Sequence, residues 1–187
     1  MNTKEPVLIA AATFLIIIGA YIAVPIGPVP IVLTNFFVIL VGLILGWKKA
    51  TIAVLTYIIL GALGLPLFSN GRGGLGVLLG LTGGFIIGFI PLAFISGLVQ
   101  KRSVLVKFIA IITGSVILYS IGIPWAIHVY NTTIAPSNGK ELWRIGTALK
   151  YTAIPFLIPD LIKIIAAISI SKLVAPTIKP FIESRDE

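Results

Sequence analysis

Two charged side chains, Asp160 and Lys163, lie well inside the apolar run Tyr151–Val174, whose other charge, Lys172, falls at its end. On insertion scales each costs roughly 2.5–3.5 kcal/mol at the centre of a membrane span. A spacing of three places both on one face of a helix. One carboxylate and one ammonium there offer a hydrogen-bond acceptor and a donor side by side. Three readings fit the pair: an internal ion pair that neutralises itself, a proton or ion relay, and a polar ligand site. The mixed donor–acceptor character favours the ligand site. Pro155 and Pro159 lie just before the pair, so a bent backbone is expected there, with carbonyls left free.

Other candidates are weaker singly. Asn35 and Thr82 fall near helix ends, where each can serve as a cap, a loop bond or a ligand contact. Trp125 and Tyr130 suit an aromatic belt at a membrane surface, and Trp125 also suits the wall of a site. His128, the single histidine, reads as an interfacial residue, and Arg72 as a solvated loop charge. There is no G-x-x-x-x-G-K-[ST] phosphate loop, no H-E-x-x-H, no G-x-S-x-G and no pair of intramembrane carboxylates. There are no cysteines, so thiolate chemistry, disulfides and Cys-based metal sites are excluded. The expectation is a protein that is not an enzyme and carries no cofactor or metal. If it transports actively, its nucleotide engine lies on another chain.

The elements that must hold these residues are membrane helices. The chain is 58% apolar and 11% charged with mean hydropathy +1.12, whereas soluble domains are about 45–50% apolar and about 25% charged. Six apolar segments are read: Val7–Val24, Ile31–Gly46, Thr51–Leu65, Gly76–Leu98, Val104–Tyr130 and Tyr151–Val174. The first is read as a transmembrane helix rather than a cleaved leader, because no A-x-A pattern follows it and further spans do. Runs such as Phe36–Leu45 do not alternate, which argues against a barrel. The breaks are marked by Pro25–Pro30, Trp47-Lys48-Lys49, Pro66–Gly74, Gln100-Lys101-Arg102 and a polar loop over Asn131–Lys150. The chain is read as one integral membrane domain over 1–187.

Six spans put both termini on one side. That side holds Lys4, Lys48, Lys49, Lys101, Arg102, Lys107, Lys172, Lys179 and Arg185; the other holds Arg72, Lys140, Arg144 and Lys150. The cation excess predicts a multi-pass cell-membrane protein with cytoplasmic termini. The same rule explains the net charge of +8 without nucleic acid, since no basic run is interleaved with aromatics. Gly76, Gly80, Gly84 and Gly88 recur at a spacing that predicts one row on a helix, and Gly42 and Gly46 form a second pair.

Four blocks, in order along the chain, resemble the BioY family, the biotin-specific S components of energy-coupling factor (ECF) transporters. Val24-Pro25-Ile26-Gly27-Pro28-Val29-Pro30-Ile31 resembles its "IP-GPVP". Leu60-Gly61-Ala62-Leu63-Gly64-Leu65-Pro66-Leu67-Phe68 resembles "LGALGLPVF". Gly80-Leu81-Thr82-Gly83-Gly84-Phe85 resembles "GPTGGY", and Ile154–Lys163 resembles "PF.P.D..K". Asn35 stands where many members carry Gln, Leu81 replaces the usual Pro, and Phe85 the usual Tyr.

The resemblance implies an all-α, six-helix S-component fold with a site near the outer face, capped by the first and third outer loops. It implies a high-affinity biotin-binding subunit whose partners are biotin, a transmembrane coupling subunit, two cytoplasmic ATPases and the bilayer. The residues expected to hold the ligand are Asp160, Lys163, Asn35, Thr82 and Trp125. A small-residue face of the first helix, with Ala12, Gly19 and Ala23, is expected to meet the coupling subunit. Two rival classes are a stand-alone secondary transporter or channel, and a membrane assembly protein in which Asp160 and Lys163 only lock helices.

Overall fold

The computed structural model describes residues 4–183. Arg185 and the side chain of Lys179, two of the cations counted for orientation, lie outside the described residues.

The chain opens with α1 (Lys4–Tyr21), followed by a hairpin of β1 (Ala23–Val24) and β2 (Ile31–Val32) around the Pro25–Pro30 turn. Proline lacks a backbone N–H and cannot continue a helix, so the chain turns back here, and Ala23 pairs with Val32 and Val24 with Ile31. This small hairpin departs from the expected all-helical plan, as does an isolated bridge between Phe68 and Arg72.

Next come α2 (Thr34–Leu45) and α3 (Trp47–Ala62), separated by Gly46 alone. Gly46 has φ +79°, a conformation that costs a side-chain-bearing residue. The expected break at Trp47-Lys48-Lys49 is therefore displaced: the glycine makes the turn, and those three residues form the first turn of α3. With twelve residues, α2 extends about 18 Å, too short for a bilayer core of about 30 Å. It is instead a central helix, with Val38 through Ile44 buried among α1, α3 and two further helices, α5 and α9. Such all-round apolarity is the mark of a buried helix.

A Gly-rich loop leads through a single turn, α4 (Leu75–Leu78), into α5 (Gly83–Leu98). The expected glycine row is interrupted. Gly80 lies in the turn before α5, and only Gly84 and Gly88 share a helix face. Leu79 through Thr82 do not continue the helix, so the periodicity of four crosses a break. Gly84 and Gly88 pack on Trp125 and Leu118 of α6 (Val104–Val129), and α5 with α6 forms the most extensive helix pair. Of the second pair, Gly42 packs on Ser96 and Gly97 of α5. Small residues let backbones approach where lipid supplies no apolar drive.

After α6 the chain makes a π-type turn over 130–134 and continues into α7 (Ala135–Asn138), α8 (Ile145–Thr152) and α9 (Leu157–Glu183). The sixth apolar segment thus divides. Ala153 leaves helical geometry at φ −129°, and a single 3-10 turn over Ile154–Phe156 separates α8 from α9. Asp160 then falls in the first turn of α9, where the positive end of the helix dipole favours a carboxylate.

Three stretches, Lys4–Tyr21, Val104–Asn138 and Ile145–Ile178, are long and apolar enough to cross a membrane; Thr34–Leu45 and Gly83–Leu98 are shorter apolar helices. Exposed Phe14, Ile59, Val116, Ile162 and Leu173 give the bundle an apolar exterior. The chain is a multi-pass membrane protein. Of the expected docking face, Ala12 and Gly19 of α1 are turned inward, with Gly19 backing onto Leu33 and Phe37, while Ala23 lies half-buried in β1, beyond the helix.

Candidate ligand-binding site

Four elements bring their polar groups to the start of α9. Lys163 Nζ donates to Asp160 Oδ1 at 3.0 Å and to the Val32 carbonyl of β2 at 2.8 Å. Asn35, in the first turn of α2, donates from Nδ2 to the same Oδ1 at 2.8 Å, and its own Oδ1 accepts from the Phe36 amide at 3.1 Å. Tyr119 of α6 donates from its hydroxyl to Asp160 Oδ2 at 2.6 Å. The two charged side chains are only 7% and 13% exposed. Burying charges is costly unless each is paired and hydrogen-bonded, and here every formal charge is.

The cluster keeps capacity to spare. An ammonium carries three donors, and Lys163 uses two of them within the described residues. Asp160 Oδ2 accepts only from Tyr119, although each carboxylate oxygen takes two bonds. Among the described residues one donor of Lys163 and one acceptor position of Asp160 Oδ2 are therefore left unused.

A small cavity adjoins the cluster through Val32; it is walled by Val29, Pro30 and Val32 of the hairpin and by Thr34, Thr82 and Phe85. Val32 belongs to both: its side of the hairpin faces the cavity, and its carbonyl accepts from Lys163. Phe85 likewise meets the ring of Tyr119 edge-on, with centroids 6.1 Å apart. A mostly apolar chamber beside a few convergent polar groups is the usual form of a small-molecule site.

Of the residues expected from sequence, Asp160, Lys163 and Asn35 come together in one network. Thr82 lines the neighbouring cavity and makes no side-chain capping bond at the start of α5. Trp125 stands apart from that wall: its indole N–H donates to the Gly80 carbonyl at 3.0 Å and fastens the turn before α5. Arg72 bonds within its own loop to Ser69, and His128 is exposed. Tyr130 is not a belt residue but stacks on Trp143, with centroids 4.0 Å apart. Tyr119 and the Val32 carbonyl were not legible as members of the site. A tyrosine in a long apolar helix carries no motif, and a backbone carbonyl carries none in any sequence.

The segment over 131–150 folds back on itself beside the hairpin. Asn131 clasps the Trp143 backbone in both directions, Nδ2 to carbonyl at 2.9 Å and amide to Oδ1 at 2.6 Å. Pro28 and Trp143 line one cleft, so the hairpin turn and the segment over 131–150 are neighbours. Among the described residues no group of three His, Cys, Asp or Glu is placed to hold a metal.

Known proteins share this plan. A probable biotin transporter from Pyrococcus horikoshii is 37% identical over 172 residues, covering 92% of this chain and 96% of that protein. A biotin transporter from Thermotoga maritima is 40% identical over 157 residues, covering 83% and 86%. The crystal structure of an S-component for biotin from an ECF-type ABC transporter superposes with a TM-score of 0.76 at 26% identity, covering 93% of each chain. The fold is that of an S component. The model of the BioY family matches residues 1–180, and the chain belongs to that family.

Proposed function

We propose that this chain captures biotin in the membrane as the substrate-binding subunit of an ECF-type ABC transporter, acting as a transport subunit rather than an enzyme. The observation that carries the reading is the Asp160–Lys163 pair, held by Asn35, Tyr119 and the Val32 carbonyl at the edge of an apolar cavity. Biotin presents a ureido ring with two N–H donors and one carbonyl, a thioether ring and a chain ending in a carboxylate. Asp160 Oδ2 takes a ureido N–H, the remaining donor of Lys163 meets the ureido carbonyl, and Thr82 and Phe85 flank the apolar part. A second pose places Lys163 on the carboxylate. Trp125 supports the site through the turn it fastens.

Transport then requires a transmembrane coupling subunit and two cytoplasmic ATPases, since no phosphate-binding loop is present. The whole of 1–187 acts as one membrane domain with cytoplasmic termini. Ser137 and Lys101 are both exposed, and cysteine introduced at Ser137 is expected to react with an impermeant reagent from outside. Reaction at Lys101→Cys instead reverses the orientation. A stand-alone secondary transporter or channel is disfavoured because one self-neutralised pair supplies few coupling groups. The functional test is mass spectrometry of detergent-purified protein. A retained molecule with the mass of biotin is expected; a different retained molecule, with no biotin binding on titration, overturns the reading.

A further inference from the structure

At the other end of the bundle three lysines face one groove. Lys101 follows α5, Lys107 lies in the first turn of α6, and Lys172 lies on α9. The groove is open to solvent, and its remaining wall includes Leu43, Leu45 and Ala175. Lys107 and Lys172 are close enough to repel one another. The acids whose side chains are described are Glu5, Glu141 and Asp160; none lines the groove, and Glu5 is paired with Lys49 at 3.3 Å.

The other polar groups add to the imbalance. Gln100 donates to the Ile44 carbonyl and so removes an acceptor from the end of α2. Ser171 donates to the Ile168 carbonyl at 2.8 Å. The N-terminal end of α6, itself positive, carries lysine rather than acid in its first turn, the reverse of the stabilising arrangement. What is left is a set of cationic donors with no anion among the described side chains, over an apolar floor, at the end of a membrane bundle.

We propose that this groove binds the phosphate headgroup of an anionic phospholipid. Charge supplies the attraction, and the floor of Leu43, Leu45 and Ala175 accepts the glycerol and first methylenes of the acyl chains. Basic pockets between transmembrane helices bind anionic headgroups in this way. A lipid fits better than a soluble anion because that apolar floor gives inorganic phosphate nothing to meet. The proposal is independent of biotin.

The test equilibrates the detergent-purified chain with equal amounts of phosphatidylglycerol and phosphatidylcholine of the same acyl chains, and counts bound lipid by native mass spectrometry. Phosphatidylglycerol is expected to be retained about tenfold over phosphatidylcholine, on the usual attraction per surface lysine. Lys107→Gln with Lys172→Gln is expected to bring the ratio near parity, while Lys140→Gln with Lys150→Gln, at the other end, leaves it unchanged. Lys172 is exposed, so Lys172→Gln alone supplies the comparison, with a smaller loss, if the double variant does not fold. Equal retention of both lipids by the native protein, or a preference that survives loss of the groove lysines, overturns the proposal. Lysine-dependent retention of inorganic phosphate without a lipid preference also overturns it, as does binding only of an acidic protein segment.

Discussion

Asp160 and Lys172 lie on one helix, twelve residues apart and about 18 Å along its axis, yet the two ends of α9 treat charge in opposite ways. Around Asp160 each formal charge meets its opposite, and a phenol, an amide and a carbonyl complete the network. Around Lys172 like charges gather and no described acid answers them. Burial explains the contrast. A charge at the Asp160 site has lost its water, and removing its partner leaves a penalty that nothing nearby offsets. Lys172 is exposed, and an exposed lysine keeps its head in water while its stem lies on apolar surface. The paired end can bind a ligand only by exchanging hydrogen bonds, group for group. The unpaired end attracts any anion through net charge.

The largest expected effect is on stability. Asp160→Asn leaves Lys163 buried without its counter-charge, and breaking a buried pair costs about 3–5 kcal/mol. Thermal unfolding in detergent is expected to show a much lowered midpoint for Asp160→Asn and an unchanged one for Lys172→Gln. Equal midpoints for the two variants would dissolve the contrast between the ends.

Next in size is the ligand effect of Lys163. Losing a charge-assisted bond of roughly 1.5–3 kcal/mol weakens biotin by about tenfold to a hundredfold in Lys163→Ala. Biotinamide, which lacks the carboxylate charge, sharpens the assignment. If Lys163 meets the ureido carbonyl, the amide loses the same factor; if it holds the carboxylate, the amide hardly responds.

Tyr119→Phe is smaller. It removes the hydroxyl that donates to Asp160 Oδ2 and leaves the ring against Phe85. The freed oxygen can turn to the ligand, so the net loss is that of one ordinary bond, about 0.5–1.5 kcal/mol, or about twofold to tenfold in Kd by titration. An undiminished Kd would place Tyr119 outside the working site. Smallest of all is the effect of salt on biotin. Buried pairs are screened far less than exposed ones, so raising the salt is expected to leave biotin affinity nearly flat while it strips anionic lipid from the lysine groove. A biotin Kd that follows salt as steeply as lipid retention does would make the two ends alike.

Sequence reveals such a molecule unevenly. Apolar length and charged or proline-marked turns suffice to find the six main helices, because backbone inside a membrane must be helical, but not to show that α2 is short and buried. The charged pair is legible for the same reason: nothing ordinary tolerates Asp160 and Lys163 in such a run. Tyr119 is not, since it reaches Asp160 from 41 residues away and any apolar helix can carry a tyrosine. The glycines mislead, because spacing alone does not show that the chain is out of the helix from Leu79 to Thr82, Gly80 included. Gly19 misleads differently: a small residue permits close approach on whichever side the fold turns it, and here that side is α2. In the loop over 131–150, the Asn131–Trp143 clasp holds structure that polarity alone does not foretell.

The most direct test of the ligand site is calorimetric titration of biotin into folded Asp160→Asn beside the native chain. Placing the site at Asp160 predicts a Kd weakened about tenfold to a hundredfold, the loss of one charge-assisted bond. A folded Asp160→Asn protein that binds biotin as tightly as the native one contradicts it and moves the site away from the head of α9.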